Sequence, residues 1–279
     1  MAGSGFRAAG VIGWPVAHSR SPLLHGHWLR QYGIEGAYLP MPVRPERIEA
    51  ALRGLSALGF AGCNVTVPHK EAALALVDHA DPAALRIGAV NLVVVRPDGT
   101  LHGSNTDGFG FIENLRQGVP GWRAQAGPAV VLGAGGSARA VVAALLDAGA
   151  PDILLVNRTR GRAEALASAL GGPVRVLDWQ HRAAALADAA LLVNTTTQGM
   201  RGQPALDIDL AALPVAAAVA DLVYVPLETS LLAAARARGN VAVDGLGMLL
   251  HQARPSFEAW FGVAPEVTNE LRRLVAAGL

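Results

Sequence analysis

The hexapeptide Gly133-Ala134-Gly135-Gly136-Ser137-Ala138 sits directly after the apolar run "AVVL" and directly before an alanine-rich stretch with helical spacing. It matches G-x-G-x-x-G/A, a pattern whose residues each have a physical task. The first glycine allows a tight turn, the second lets the backbone approach a ligand, and the small sixth residue lets the helix pack close to the strand. The free N–H groups and positive dipole end of that helix suit a pyrophosphate. A strand, such a turn and a helix require a parallel sheet for the helix to pack on. The following "DILLVNRT" completes a βαβ unit. "AALLVNTTTQGM", "AAVADLVYVP" and "VAVDGLG" add apolar strands that end at polar or glycine residues. A Rossmann-type, doubly wound dinucleotide-binding domain is expected for this half of the chain.

The residues after the second strand of that unit refine the cofactor. An NAD site places a carboxylate there for the ribose 2'-hydroxyl, and a carboxylate would repel a 2'-phosphate. Here the chain supplies Asn157, Arg158, Thr159 and Arg162. Guanidinium groups with an amide and a hydroxyl favour the phosphate by charge-assisted hydrogen bonds, so NADP is expected rather than NAD. Taken alone the same residues describe a solvated basic turn; beside the glycine turn they describe a clasp.

At 279 residues the chain exceeds the usual size of one domain, so a second core is expected. The first hundred residues alternate short strands with helical patterns: "AGVIG", then "SPLLHGHWLRQYGI" with Ser21 as a capping residue and Pro22 at the first helical position, then "GAYLPMPV". "PERIEAALRGLSALGF", "AGCNVTVP" and "HKEAALALVDHA" continue the alternation, and "AVNLVVVRPDGTLHGSNTD" reads as a hairpin turning at Asp98-Gly99. The boundary is placed near Asp107. The amphipathic helices after Gly245 suit either domain by periodicity alone.

Hydrophobic residues make up 52% of the chain and charged residues 16%, which excludes a disordered or solvating chain. A net charge of +1 without a basic stripe argues against nucleic acid as a partner. Cys63 is the only cysteine, which excludes an internal disulfide and a thiolate metal cluster, and it reads as a buried inert thiol. The eight histidines are dispersed and no metal site is expected. No apolar leader is evident in "MAGSGFRAAGVIGWP", and the apolar run from Leu213 to Leu227 is broken by Asp221, so a cytoplasmic protein without a membrane span is expected.

Candidate chemistry concentrates in "GCNVTVPHKEA", where Asn64, Thr66, His69 and Lys70 interrupt an alternation of Cys63, Val65 and Val67. Lys70 stands at a strand-to-helix junction, the edge at which open α/β sheets bind ligands. Asp107, in "GSNTDG", is placed to pair with it across a cleft and hold an ammonium for proton transfer to an oxygen. The plain structural account makes Lys70 a surface residue of a helix's first turn. Ser19 and Ser21 in "AHSRSP" offer hydroxyls for a carboxylate, or Ser21 an N-cap. Asn91 in "GAVN" is a turn residue or a ligand group.

Taken together, "GWPVAHSRSPLLH", "NVTVPHK", "GAVN", "NTDG", "GAGGSARA", "NRT", "NTTTQGM", "DLVYVPLET" and "DGLGMLLHQA" resemble the shikimate dehydrogenase family in order and approximate spacing over almost the whole chain. The resemblance implies NADPH-dependent reduction of 3-dehydroshikimate to shikimate on the route to aromatic amino acids. It implies Lys70 and Asp107 as the catalytic pair, Ser19 and Ser21 as holders of the substrate carboxylate, and Asn64, Thr66, Asn91, Tyr224 and Gln252 as further substrate ligands. Gly133, Ala134, Gly135, Gly136, Ser137 and Ala138 then form the phosphate loop, and Asn157, Arg158, Thr159 and Arg162 the 2'-phosphate clasp. Thr195, Leu222, Gly245 and Met248 fall where the family packs nicotinamide and ribose. The same resemblance returns the C-terminal helices to the first domain. It gives an α/β substrate domain with a mixed, mostly parallel sheet over 1–106 plus 245–279 and an NADP domain over 107–244, in a monomer or homodimer. The chain departs from the family pattern at Leu92 and Val225, which keeps open a quinate/shikimate paralogue with relaxed substrate or cofactor choice. A non-catalytic nucleotide sensor is a third reading, against which Lys70 and Asp107 argue.

Overall fold

The computed structural model of the protein describes residues 5–279; the first four residues, which belong to the N-terminal stretch read as leaderless, lie outside the described residues. The chain forms two compact units, Met1–Thr106 with Gln252–Ala277, and Asp107–His251 with Gly278–Leu279.

The first unit runs β1 (Arg7–Gly13), α1 (Ser21–Gln31), β2 (Gly36–Pro42), α2 (Ile48–Ala57), β3 (Phe60–Val65), α3 (Lys70–Leu76), β4 (His79–Ala80), α4 (Pro82–Ile87), β5 (Leu92–Val95) and β6 (Leu101–Ser104). Its six strands lie in the order β2-β1-β3-β5-β6-β4. β1 pairs in parallel with β2 and β3, while β5 is antiparallel to both β3 and β6, and β4 is parallel to β6. This is the mixed, mostly parallel sheet expected. The β5–β6 reversal turns where "PDG" predicted it. Gly99 takes φ +86°, and Asp98 Oδ1 accepts from the Thr100 N–H at 3.0 Å. Such a left-handed residue suits glycine. Elsewhere Asp81 caps α4 by accepting from the Ala84 N–H.

Central β3 is buried on both faces, so its side chains separate by period two. Cys63 and Val65 join Ile12, Leu52, Val93 and Leu101 in an apolar cluster. Asn64 points the other way, to Tyr38 and Ser256.

In the second unit come α5 (Asp107–Gly118), β7 (Ala129–Leu132), α6 (Gly136–Asp147), β8 (Ile153–Asn157), α7 (Arg160–Leu170), β9 (Val174–Asp178), β10 (Leu191–Asn194), β11 (Ala218–Asp221), α8 (Ser230–Ala237) and β12 (Val241–Val243). All six strands are parallel, in the order β12-β11-β10-β7-β8-β9. Counted from β7 this is 3-2-1-4-5-6, the Rossmann order, and it reverses between β7 and β10. Val130, Leu132, Leu154, Val156, Leu192 and Val219 are buried in one cluster, as continuous apolar strands require. Helix α9 (Gly245–Phe261) begins in this unit and passes at Gln252 into the span of the first. α10 (Asn269–Ala276), capped by Thr268 on the Leu271 N–H, closes the first unit's share of the chain. Among the described residues no helix is long and apolar enough to cross a membrane.

Candidate functional site

In the first unit the loop after β1 carries Ser19, and α1 opens at Ser21. Ser21 does not cap the helix, contrary to expectation. The N-cap position is Arg20, which makes no side-chain cap, because Ser21 is already the first helical residue. Ser19 Oγ instead accepts the Ser21 N–H at 3.3 Å. Ser21 is buried. Thr66 closes over Gly13, where an added Cβ would come 2.5 Å from the threonine methyl. Lys70, half-buried, is the first residue of α3 and follows a pinned turn. There the His69 N–H donates to Thr66 O at 2.9 Å, and the buried His69 ring places Nε2 2.7 Å from Val43 O. The Lys70 carbonyl accepts from Val90 N at 2.9 Å, which ties the start of α3 to the residue before Asn91.

A buried polar chain joins the remaining candidates of this unit. Tyr38 Oη donates to Asn64 Oδ1 at 2.7 Å, and Asn64 Nδ2 donates to Asn91 O at 3.0 Å and Ser256 Oγ at 2.9 Å. Asn91 Oδ1 accepts from Thr106 N at 2.8 Å, and Asn91 Nδ2 approaches Thr106 Oγ1 at 3.1 Å and Gln252 Oε1 at 3.4 Å. Burial raises the Tyr38 pKa well above its ordinary value, the nearby Cys63 adds to that rise, and the Ser21 hydrogen bond opposes it. Burial likewise pushes the Cys63 thiol up, consistent with an inert core thiol. Asn64, Asn91 and Gln252 are thus brought into one network, with Lys70 tied to it through backbone, while Ser19 and Ser21 are joined to each other. Tyr38, Ser256 and Thr106 belong to it as well. No local sequence signal singles out Tyr38.

In the second unit the glycine turn lies at the strand-order reversal. Gly133 takes φ +109°, and a Cβ there would meet Thr195 Oγ1 at 2.6 Å. Thr195 Oγ1 itself donates to Leu132 O at 2.7 Å, so the ends of β7 and β10 are tied. Ala134 is half-buried and Ser137 lies in the first turn of α6, while Ala138 is buried. A Cβ added at Gly135 or Gly136 would meet no atom within 4 Å, leaving open space before the N-terminus of α6. That space and the free N–H groups fit a pyrophosphate. After β8, Asn157 Nδ2 donates to Thr159 O at 2.8 Å and shapes the turn. Arg160 is held away by Asp178 at 2.9 Å and Glu164 at 2.7 Å. Arg158 and Arg162 are exposed and make no ion pair among the described residues, which suits a phosphate clasp. The donor set fits NADP.

The rest of this unit's candidates hang on one buried carboxylate. Asp221 Oδ1 accepts from Asn194 Nδ2 at 2.9 Å and Val223 N at 3.0 Å, and Oδ2 accepts from Thr229 Oγ1 at 2.7 Å. Burial raises its pKa, and the Thr229, Val223 and Asn194 hydrogen bonds oppose the rise. These bonds fix the segment that carries Leu222 and Tyr224, both half-buried. A side chain at Gly245 would strike the Leu222 and Val223 carbonyls, which is why glycine opens α9; Met248 follows one turn later, half-buried. Asp107 is buried at the first residue of α5. Asp221, Asn194 and Thr229 were not singled out from sequence, because each reads as an ordinary strand-end or cap residue. Among the described residues no three or more His, Cys, Asp or Glu gather as a metal site.

Comparison with known proteins agrees with this arrangement. Residues 11–93 match the model of the shikimate dehydrogenase substrate binding domain, 120–201 that of shikimate / quinate 5-dehydrogenase, and 245–269 that of the shikimate 5'-dehydrogenase C-terminal domain. A relative from Paramagnetospirillum magneticum named shikimate dehydrogenase (NADP(+)) is 66% identical over 96% of this chain and 98% of its own. One of the same name from Rhodospirillum rubrum is 63% identical over 96% of each chain. The structure of Thermus thermophilus shikimate 5-dehydrogenase in complex with NADP(H) and shikimate superposes with a TM-score of 0.88 at 39% identity, covering 98% of this chain and 100% of that one. Quinate dehydrogenase from Corynebacterium glutamicum in complex with NAD gives a TM-score of 0.90 at 32% identity, over 97% and 99%. Two units, a glycine turn at a strand-order reversal, and near full-length identity of this degree lead to one conclusion: the chain belongs to the shikimate dehydrogenase family.

Proposed function

We propose that the protein catalyses the reversible, NADPH-dependent reduction of 3-dehydroshikimate to shikimate in the cytoplasm, as a step of aromatic amino acid biosynthesis. The observation that carries this reading is the 66% identity, over almost the full length of both chains, to a relative named for that activity. The open space at Gly135 and Gly136 and the uncommitted Arg158 and Arg162 support NADP as cofactor.

NADPH, when bound, supplies a hydride to the substrate carbonyl carbon. Gly133 to Ala138 hold its pyrophosphate, Asn157, Arg158, Thr159 and Arg162 its 2'-phosphate, and Thr195, Leu222, Gly245 and Met248 its ribose and nicotinamide. Ser19 and Ser21 take the substrate carboxylate; Asn64, Thr66, Asn91, Tyr224 and Gln252 serve its other polar groups, directly or by holding the residues that do. Lys70 donates a proton to the carbonyl oxygen in reduction and recovers it in oxidation, with Asp107 orienting the ammonium. A small polyol acid needs this many partners because each hydroxyl stripped of water must be matched by a protein group.

The test is spectrophotometric oxidation of shikimate with NADP, with quinate and NAD as controls. Wild-type turnover is expected with shikimate and NADP in preference to either control. Lys70→Ala is expected to lower turnover at least 100-fold, as loss of general acid–base catalysis does, with NADP affinity unchanged. Near-normal turnover in that variant would reject the role of Lys70. Equal use of quinate or NAD would favour the relaxed paralogue.

A further inference from the structure

Two adjacent strands of the second unit end on one buried carboxylate. Asn194 closes β10 and Asp221 closes β11, and the two are partners in the parallel register, so their side chains leave the sheet on the same face. Both are buried, as is Thr229. Asp221 Oδ1 and the Gln198 carbonyl only accept, so the Asn194 atom that faces them at 2.9 Å and 3.1 Å is Nδ2, with both its hydrogens committed. Asn194 Oδ1 then accepts from the Thr196 N–H at 3.0 Å and the Thr196 hydroxyl at 2.7 Å, and Thr196 Oγ1 accepts from the Gln198 N–H at 3.1 Å. The Asn194 amide thus spends every bond on Asp221 or on the loop 195–198. Asp221 also accepts from the Val223 N–H and the Thr229 hydroxyl, while the Leu222 N–H donates to Asn194 O at 3.0 Å. One carboxylate therefore latches two loops, 195–198 and 222–224.

The sheet order says what those loops serve. It reverses between β7 and β10, and a dinucleotide lies across such a reversal with one half over each set of strands. The glycine turn follows β7 and the basic turn with Arg158 and Arg162 follows β8, which leaves the nicotinamide half for the carboxyl ends of β10 and β11. Thr195, the first residue of the latched loop, stands against the glycine turn: its Oγ1 donates to Leu132 O at 2.7 Å and would lie 2.6 Å from a Cβ on Gly133.

We infer that Asp221 is a positioning residue for the nicotinamide half of the cofactor, acting through Asn194 and the Val223 N–H to hold Thr195, Leu222 and Tyr224 in one arrangement. The inference rests on the shikimate reading and deepens it. A carboxylate suits the task because it accepts at both oxygens, whereas an amide of the same shape accepts at one. Thr229 cannot make up the difference, since its Oγ1 already accepts from the Leu232 N–H at 3.3 Å.

Asp221→Asn weakens the latch and Asn194→Ala cuts it off from the loop 195–198. Each is expected to lower kcat for shikimate oxidation roughly 10- to 100-fold, the cost of misplacing a reacting group by about 1 Å, and to raise the NADPH dissociation constant about threefold or more. Binding of adenosine 2',5'-bisphosphate, which carries the phosphorylated ribose and no nicotinamide, is expected to stay at the wild-type level. The double variant is expected to be no slower than the slower single variant, because both changes open one latch. A purely structural role would weaken the bisphosphate as much as NADPH. That result overturns the inference, as does wild-type kcat in either variant or multiplied losses in the double. Should Asp221→Asn not fold, Asn194→Ala decides by the same comparison of NADPH with the bisphosphate. A wild-type protein that binds NADPH without oxidising shikimate defeats the functional reading, and the two binding measurements then decide the role of Asp221.

Discussion

His25 illustrates how far a single side chain departs from its solution chemistry. It is fully buried, stacked on Tyr38 at 4.0 Å between ring centroids and 5° between planes, with Trp28, Phe257 and Trp260 around it. Neither ring nitrogen has a hydrogen-bond partner among the described residues. Burial lowers its pKa from 6.5 to about 3, so the ring is neutral in the folded protein. Below pH 6.5 the unfolded chain binds a proton that the folded chain refuses. The stability contribution is therefore complete above about pH 6.5 and is lost as pH falls towards about 3. The slope is on the order of 1.4 kcal/mol per pH unit. Urea unfolding of the wild type should show this loss between pH 6 and pH 4, and His25→Phe should flatten it; an equal slope in both proteins would contradict the assignment. At this scale the sequence singled out Lys70 and the serines as candidates through their neighbours, but not Tyr38, whose hydroxyl meets Asn64 from another strand.

Among the elements, the β7–turn–α6 segment was the most legible, because its constraint is local. Gly133 is held by conformation and by Thr195, whereas Gly136 is held by neither: an added Cβ meets no protein atom. Gly136→Ala is therefore expected to leave the melting temperature unchanged or slightly raised, since alanine is the better helix former by about 1 kcal/mol. It should weaken NADP binding at least tenfold by occupying the space left for the phosphates. Titration of cofactor fluorescence checks this, and unchanged affinity would remove the glycine loop from the site. The segment after β11 was less legible. Asp221 joins Asn194, Val223 and Thr229 from three places in the chain, and Thr229 both caps α8 and donates to that carboxylate. Ser21 was misread as a cap because Ser-Pro before an apolar run carries the same signal whether the helix begins at the serine or after it.

For the whole molecule, two separately cored units make ligand-linked stability a direct probe of the cofactor. At a hundredfold excess over its dissociation constant a ligand adds about 2.7 kcal/mol to the state that binds it. For a unit of this size NADP should raise the melting midpoint by roughly 5–11 °C. NAD at the same concentration should raise it less, because Arg158 and Arg162 have no 2'-phosphate to meet; calorimetry with each cofactor checks the difference. Equal shifts would mean that the clasp does not discriminate. The sequence by itself determined the α/β class, the Rossmann half and the segments that carry charge and hydroxyls, because period, glycine turns and apolar runs act over a few residues. Only the tertiary structure decided which of those side chains meet, and in which direction their hydrogens point. Asn64, Asn91, Ser256 and Tyr38 lie far apart in sequence, and the polarity of their hydrogen bonds is set by a backbone carbonyl that strand pairing brings beside them.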